Sequence, residues 1–390
     1  MKRVLVLDAN QRSALAVTRS LGMHSVDVLT AEEIPTALAG SSSFSKQQFT
    51  YPSPRQRSSQ FIETLSHLIE QQHVDIILPM TELTSLLLLE HQSSLHGATL
   101  PFPDITTVDS LADKCQLMQT AAELDIPTPE TLFSGSRDSF KCDLKALPYP
   151  VVIKPGKSWL KIQDTWCRSS VRFAGNPLEA QTILDTDPAL ENGTFMIQEH
   201  VPGHGKGVFC LYDNGSPLAF FAHHRLREKP PRGGVSVLSQ SVPVDQALGS
   251  YARLLLDHAD WHGVAMVEFK VTPDGRPFLM EINTRFWGSL QLAIDAGVDF
   301  PWLLYRIASG EKVEPVEGYR TGIRLRWLLG DLDHLYLVLR DPGFSVVEKT
   351  KAVAAFLTPS PLKTRHEVNR WNDMGPFWWE LKQYLRELNR

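Results

Sequence analysis

Val264-Ala265-Met266-Val267-Glu268-Phe269-Lys270-Val271, Thr272-Pro273-Asp274-Gly275-Arg276, Pro277-Phe278-Leu279-Met280-Glu281-Ile282-Asn283: two apolar runs flank an Asp-Gly pair. A two-residue type I′ turn needs positive φ at both central positions, and Asp-Gly is a strong signal for it. With such a turn at 274–275, Glu268 stands directly opposite Glu281 and Met266 opposite Asn283. The period of two puts Glu268, Glu281 and Asn283 on one face, and Val267, Phe269, Val271, Met280 and Ile282 on the core face. Opposed carboxylates have Cβ atoms about 4.5–5.5 Å apart and repel. A hard divalent cation relieves that repulsion, because Mg²⁺ takes oxygen ligands and shares them with substrate phosphates. A solvated strand face is the plainer alternative. Thr284-Arg285-Phe286-Trp287-Gly288 follows at once, however, and adds a guanidinium beside the acids. Two acids, an amide and an arginine leaving one strand end suit a cation and anionic oxygen better than a bare surface.

The chain around this hairpin has 390 residues, enough for two to four domains at about 100–200 residues each. Hydrophobic residues make up 43% and charged residues 21%, which excludes a disordered or collagen-like chain. Lys plus Arg number 39 against 44 Asp plus Glu, a net charge of −5, which argues against non-specific nucleic-acid binding. Cys115, Cys142, Cys167 and Cys210 form no CxxC pair, so neither a zinc knuckle nor a disulfide framework is signalled, and a reducing cytoplasm fits. No apolar run approaches the roughly 18 residues that cross a bilayer. The start, Met1 to Leu7, is like a signal peptide only superficially, because its apolar run breaks at Asp8 and reads as a buried strand.

Strand 3–7, a helix through Ala14, Val17, Thr18 and Leu21 stopped by Gly22, and strand 25–29 make a βαβ unit. The polar stretch Ser41 to Ser59 reads as surface loop with short elements. Helical periodicity at Phe61, Ile62, Leu65, Leu68 and Ile69 and a strand at 75–78 complete a small doubly wound domain. Its first turn, Asp8-Ala9-Asn10-Gln11-Arg12-Ser13, has none of the glycines of a dinucleotide loop, so it reads as scaffold and cleft wall. A helix containing Asp113, Lys114, Leu117, Ala121 and Leu124 ends at Ile126-Pro127. Short strands and turns follow from 149 to 202, then a hairpin around Asp213-Asn214-Gly215 and a helix over 245–260. The last 80 or so residues are helical and tryptophan-rich.

Other segments carry single signals. Val152-Ile153-Lys154-Pro155 ends a buried strand in an ammonium that needs an anion, although a surface lysine reads the same way. Lys157 and Ser158 follow in a loop suited to phosphates. Gln198-Glu199-His200-Val201-Pro202-Gly203 is a strand entering a turn, able to offer backbone groups to a base edge. His223, Arg225 and Arg227 share a face by period two, suited to anionic oxygen or to a charged sheet edge. Arg232-Gly233-Gly234-Val235-Ser236 allows close approach of a ligand, or simply a turn.

In this order the pieces resemble the ATP-grasp superfamily over most of residues 1–310, nearest the carboxylate–amine ligases and the synthetase units of carbamoyl-phosphate synthase. The resemblance implies an α/β plus α+β fold: a pre-ATP-grasp doubly wound domain over 1–110 and an ATP-grasp domain over 111–310. The second contains a lid subdomain at about 132–200 and a central antiparallel sheet, and a helical C-terminal extension fills 311–390. It implies that Lys114 and Lys154 contact the phosphates of ATP. Gln198, Glu199 and Val201 form the adenine hinge, and Glu268, Glu281 and Asn283 ligate two Mg²⁺ (or Mn²⁺) ions. Arg285 stabilises the transferring phosphoryl group, and Arg225 and Arg227 contact the γ-phosphate or the acceptor carboxylate. In the acceptor pocket, Glu82 is expected to receive an amine, and the turn carrying Gly233, Gly234 and Ser236 a carboxylate. The implied reaction activates a carboxylate as an acyl phosphate and joins it to an amine, releasing ADP and phosphate. The implied setting is cytoplasmic, with small-molecule substrates, neither nucleic acid nor membrane as partner, and room for a homodimer. The stretch equivalent to the usual glycine-rich lid, Lys161 to Ser170, contains no glycine, so no lid residue is assigned. A synthetase using bicarbonate, a nucleotide-binding sensor and a nicotinamide-linked reductase remain as other readings. The intact acid set argues against the sensor, and the glycine-free first turn against the reductase.

Overall fold

The computed structural model describes residues 2–191, 193–231, 233–358 and 364–388. It opens with β1 (Arg3–Val6), α1 (Arg12–Met23), β2 (Asp27–Glu32), β3 (Gln47–Thr50), α2 (Ser58–Gln72), β4 (Ile76–Leu78) and α3 (Glu82–Glu90). The strands form a parallel sheet in the order β3-β2-β1-β4. β1 and β4 are buried apolar runs, as a parallel sheet covered on both faces requires. One local reading is filled in and one is corrected. The polar stretch after Ser41 contains an edge strand, β3, whose partly exposed Gln-Gln sequence gave no apolar pattern. Gly22 does not stop α1 but lies inside it, where a Cβ would come 2.5 Å from Phe44. The chain turns instead at Ser25, with φ 61°.

Asp8, just past β1, organises this layer's carboxyl edge. Its buried carboxylate accepts from the N–H groups of Met80 and Thr81 at 2.9 Å and the Thr84 hydroxyl at 2.7 Å, with the Tyr51 hydroxyl at 3.2 Å. Burial raises its pKa and those hydrogen bonds oppose the shift. The β4–α3 turn carrying Thr81 and Glu82 is thereby tied to the end of β1.

Next come α4 (Ile105–Ala112) and α5 (Lys114–Glu123). The predicted helix starts one residue later than expected, because Asp113 stands just outside it and its carboxylate caps α5 by accepting from Cys115 and Gln116 N–H at 2.8 and 3.2 Å. A four-stranded antiparallel sheet follows in the order β5-β10-β6-β9: β5 (Thr131–Gly135), β6 (Val151–Pro155), β9 (Arg172–Ala174) and β10 (Phe195–Glu199). A separate hairpin, β7 (Trp159–Ile162) and β8 (Thr165–Arg168), interrupts it, and α6 (Pro177–Thr186) and α7 (Pro188–Glu191) accompany it. This sheet has its own core around Val151, Ile153, Phe195 and Ile197.

The third sheet has seven strands in the order β15-β14-β11-β12-β13-β16-β17. These are β11 (His204–Asp213), β12 (Ser216–Lys229), β13 (Val235–Val242), β14 (Gly263–Val271), β15 (Pro277–Asn283), β16 (Arg324–Arg326) and β17 (Thr364–His366). Asn214 and Gly215 close the predicted β11–β12 hairpin with φ 43° and 74°, both positive as a type I′ turn requires. Helices α8 (Gln246–His258), α9 (Leu290–Ala296), α10 (Phe300–Ala308), α11 (Leu328–Arg340), α12 (Val346–Leu357) and α13 (Gly375–Leu388) complete the described chain. Two large cores run across from the first layer, one joining Leu5 and Phe61 to Val267 and Leu279, the other Val4 and Val17 to Phe209 and Trp287. The tail is tied in by Arg19, buried on α1, whose Nε meets Asp373 at 2.8 Å and whose Nη atoms donate to the carbonyls of Glu367 and Val368. No described helix is long and apolar enough to cross a membrane.

Asp8→Ala would leave two backbone N–H groups and a threonine hydroxyl without their acceptor. The expected loss of stability is about 1–3 kcal/mol, seen as a lower urea midpoint at unchanged slope. An unchanged midpoint would show that the carboxylate does not hold the β4–α3 turn.

Candidate functional site

β14 and β15 deliver the paired acids, but not through the turn the sequence suggests. Of Asp274 and Gly275 only Gly275 has positive φ, 89°. Thr272 N–H donates to the Arg276 carbonyl at 3.0 Å and Gly275 N–H to the Thr272 carbonyl at 2.9 Å, a three-residue connection. The strands leave it with Val271 opposite Pro277 and Phe269 opposite Leu279. The register then shifts, and Glu268 faces Glu281, Val267 faces Ile282 and Met266 faces Asn283. Met280 is the extra residue of this bulge, and it cancels the offset introduced by the turn. The predicted acid pair therefore stands, while Met280, predicted to be core, turns to the cleft with its sulfur 3.8 Å from Lys154 Nζ.

Each acid already has a cation. Arg225 Nη2 lies 3.1 Å from Glu268 Oε1, and Arg225 Nη1 3.3 Å from Glu228. Lys114 Nζ lies 3.7 Å from Glu281 and 3.1 Å from the Ser158 hydroxyl. Asn283 Nδ2 donates to Glu281 at 3.3 Å, and Arg285 Nη2 approaches Asn283 Oδ1 at 3.4 Å. Burial raises the pKa of Glu268 and the guanidinium of Arg225 opposes it. Lys154, on β6, is 8% exposed and has no carboxylate within 4 Å among the described residues. Burial therefore pulls its pKa down to about 8, with Glu281 opposing and Lys114 and Lys270 adding to the fall.

These donors fit a hard cation. Two carboxylates in opposed register and one amide oxygen beside them are oxygen ligands only, the set Mg²⁺ prefers, and solvent would complete its shell. Among the described residues no group of three or more His, Cys, Asp or Glu could hold a metal, and the oxygen-only set available here is Glu268, Glu281 and the Asn283 amide.

A cleft of about 700 Å³ opens between Thr81 and Glu82, the end of β15 with Glu281, Asn283 and Arg285, and the β7–β8 hairpin. A second cavity of about 330 Å³ adjoins it, sharing Lys114, Val171 and Glu281 and reaching Lys154, Glu199 and Val201. The two together have the layout a nucleotide needs: an apolar slot at one end and cations at the junction. Glu82 faces the main cleft, where burial raises its pKa while Lys114 and Arg285 oppose the rise. The Glu199 carboxylate accepts from Glu130 N–H at 3.0 Å, and its own N–H donates back to the Glu130 carbonyl.

Several expected residues lie elsewhere. Gln198 is fully buried with its amide turned inward to the Thr131 hydroxyl at 3.1 Å, so it backs the second cavity without lining it. Arg227 is removed from the cleft by Asp331, which holds its Nε and Nη2 at 2.8 Å. The β12–β13 register shifts between Arg225 and Arg227, which breaks the shared face predicted for His223, Arg225 and Arg227. Gly233 and Gly234 belong to the β12–β13 connection and Ser236 to β13, and none of the three lines the cleft; Gly234 lies against the Lys229 carbonyl, which leaves no room for a Cβ. Arg232 lies outside the described residues. Conversely, Gln11, Trp159, Arg168, Ser169 and Ser170 line the cleft without having been singled out. Polar residues of a glycine-free hairpin carry no motif that would have marked them.

Glu281→Gln removes one of two repelling carboxylates, so the free protein should keep or slightly raise its melting temperature. Mn²⁺ affinity, measured by electron paramagnetic resonance, should fall by at least the ~10-fold that losing a mere outer-shell partner produces. Unchanged Mn²⁺ binding would sink the metal assignment.

Residues 191–330 match a family model described as ATP-grasp in the biosynthetic pathway with Ter operon. The fold is similar to that of the biotin carboxylase of Campylobacter jejuni, with TM-score 0.63 and 14% identity over 82% of this chain and 74% of that one. The L-amino acid ligase of Bacillus licheniformis gives TM-score 0.61 and 15% identity over 81% of this chain and 78% of that one. The N5-carboxyaminoimidazole ribonucleotide synthetase of Thermus thermophilus gives 0.58 and 14% over 82% and 81%. Among curated proteins no sequence matches. The segment that matches the ATP-grasp model carries the paired acids at its centre, and the fold is shared with these three enzymes along most of the chain.

Proposed function

We propose that the chain is an ATP-dependent ligase that activates a substrate carboxylate and joins it to an amine, with ADP and phosphate as the other products. The observation that carries this reading is the junction at Lys114 and Glu281, where an apolar cavity meets a cleft holding both an acid, Glu82, and a guanidinium, Arg285. Glu199 and Val201 hold the base, and Lys114 and Lys154 the phosphates. Glu268, Glu281 and Asn283 hold Mg²⁺, which when bound supplies positive charge at the transferring phosphoryl oxygens. Arg285 has no carboxylate within 4 Å among the described residues, so its fork is available for the charge that develops in transfer. Arg225 meets the same charge from β12, and Glu82 receives the amine. A lid that excluded water would protect an activated carboxylate from hydrolysis. Residues 1–110 act as the acceptor-side domain, 111–310 as the ATP-grasp domain and 311–390 as its extension. The setting is cytoplasmic and the substrates are small molecules.

A panel of amino acids and small acids, offered singly and in pairs, tests the reading by phosphate release and product mass. Release that needs both partners and yields their condensation product is the expected result. Release with bicarbonate alone would transfer the chain to the carboxylating synthetases.

Lys154 yields a pH prediction. Its folded pKa of about 8 lies below the ordinary 10.5, so its burial opposes folding fully below about 8. That penalty fades as pH rises toward 10.5. Lys154→Met should therefore be more stable than the wild type at pH 7, with the gap closing at high pH. A phosphate neighbour restores the charge, so ATP binding at a pH of about 8.5, just above the folded pKa, should take up a proton, seen by calorimetry in two buffers, and the variant should not. Equal proton uptake by both proteins would remove Lys154 from the phosphate site.

A further inference from the structure

The glycine-free stretch predicted to stand in place of a lid is an ordered hairpin. β7 and β8 pair from Trp159 opposite Arg168 to Ile162 opposite Thr165, and Gln163 turns the chain with φ 55°. At its base Ser169 N–H donates to the Ser158 carbonyl at 2.9 Å. The hairpin is latched onto the first α/β layer. Trp166 N–H donates to the Arg55 carbonyl at 3.0 Å, and Arg55 Nε donates back to the Trp166 carbonyl at 2.9 Å. The Trp166 ring is 9% exposed and packs in the same core as Phe61 and Leu87. Lys157, just before the hairpin, pairs with Asp109 at 2.6 Å.

This docking aims the hairpin's base at the cleft, where Arg168 and Ser170 line the wall together with Lys114, Glu281 and Arg285. Arg168 is exposed, and no carboxylate lies within 4 Å of it among the described residues. Arg285 is likewise without one. Two guanidiniums lining one cleft, neither held in an ion pair among the described residues, make a receptor for an anion with several oxygens, because each fork matches phosphate bidentately. A glycine-rich loop would offer backbone N–H groups to a triphosphate; this chain has no glycine there to allow that approach.

We propose that Arg168, assisted by the Ser170 hydroxyl, is the clamp on the terminal phosphates of the nucleotide, a side-chain substitute for a glycine-rich cradle. The inference rests on the nucleotide reading above and adds a phosphate-binding residue to it. The latch gives the clamp a second property: it is carried by the layer that also bears Glu82, so phosphates and acceptor are gripped from one body.

Calorimetric titration of the full chain with ATP and with AMP, at saturating Mg²⁺, tests the clamp. Arg168→Gln should weaken ATP about tenfold or more, the usual consequence of losing a charge-assisted hydrogen bond, and AMP less than about twofold. Arg168→Lys should recover part of the ATP affinity, since charge returns without the fork. Arg168 is at the surface, so a melting temperature equal to that of the wild type is expected and excludes a folding defect. Equal weakening of ATP and AMP, or an unchanged ATP affinity, would overturn the assignment while leaving the ligase reading standing. A wild-type protein that binds no ATP would overturn both.

Discussion

Two carboxylates forced to face each other across a hairpin are the constraint around which the rest of the site is arranged. Glu268 and Glu281 sit in opposed register on β14 and β15, and their repulsion has to be answered from outside the hairpin. Arg225 answers it from β12 and Lys114 from the first turn of α5. Those two cations come from positions more than a hundred residues apart. Each is fixed by its own local device: Arg225 is shared with Glu228, and Lys114 follows the cap residue Asp113. In a protein interior of low dielectric a lone pair of acids would protonate or separate. Here the compensating charges, and the room for a metal, keep them together.

The cleft is a junction of all three sheets. The parallel layer contributes Glu82 through the carboxylate of Asp8, which fixes the β4–α3 turn. The small antiparallel sheet contributes Lys154, and the large sheet contributes the acids and Arg285. Continuous apolar cores bind the parallel layer to the large sheet, whereas the small sheet keeps a core of its own. A movement that opens the second cavity therefore has its natural seam around the small sheet, and the β7–β8 hairpin bridges that seam by its contact with Arg55.

The end of β12 shows how tertiary partners reassign charge. His223, Arg225 and Arg227 read as one row suited to anionic oxygen. Asp331 takes Arg227 together with Arg326, and Asp333 takes Lys229, both from α11. His334 on the same helix sits 2.6 Å from the Glu228 carbonyl, and Tyr384 on α13 bonds Asp333. The carboxy-terminal helices thus neutralise Arg227 and Lys229 and brace the strand beside Arg225. Trp327 joins this brace, with Arg12 over its ring at 4.1 Å and Glu380 accepting from its Nε1 at 2.7 Å.

By itself the sequence determined the elements and the pairing of the acids. Apolar periods of two and 3.6 residues are properties of short stretches, and so are Asn-Gly and Asp-Gly turns. Hence the βαβ start, the β11–β12 hairpin and the Glu268–Glu281 pair were legible without a structure. The Asp274–Gly275 turn was misread locally, yet the acid pair survived because a bulge at Met280 restored the register. That bulge, and the cleft-facing methionine it creates, depend on how β15 packs against β14 and Lys154. Only the tertiary structure decided that Gln198 turns inward, that Arg227 is spent on Asp331 and that Arg168 is left unpaired over the cleft. The physical reason is one of range. A residue's place in an element follows from its neighbours in sequence, whereas the meaning of a charge follows from the opposite charge that folding brings to it. For Arg227 and Asp331 that partner lies 104 residues away.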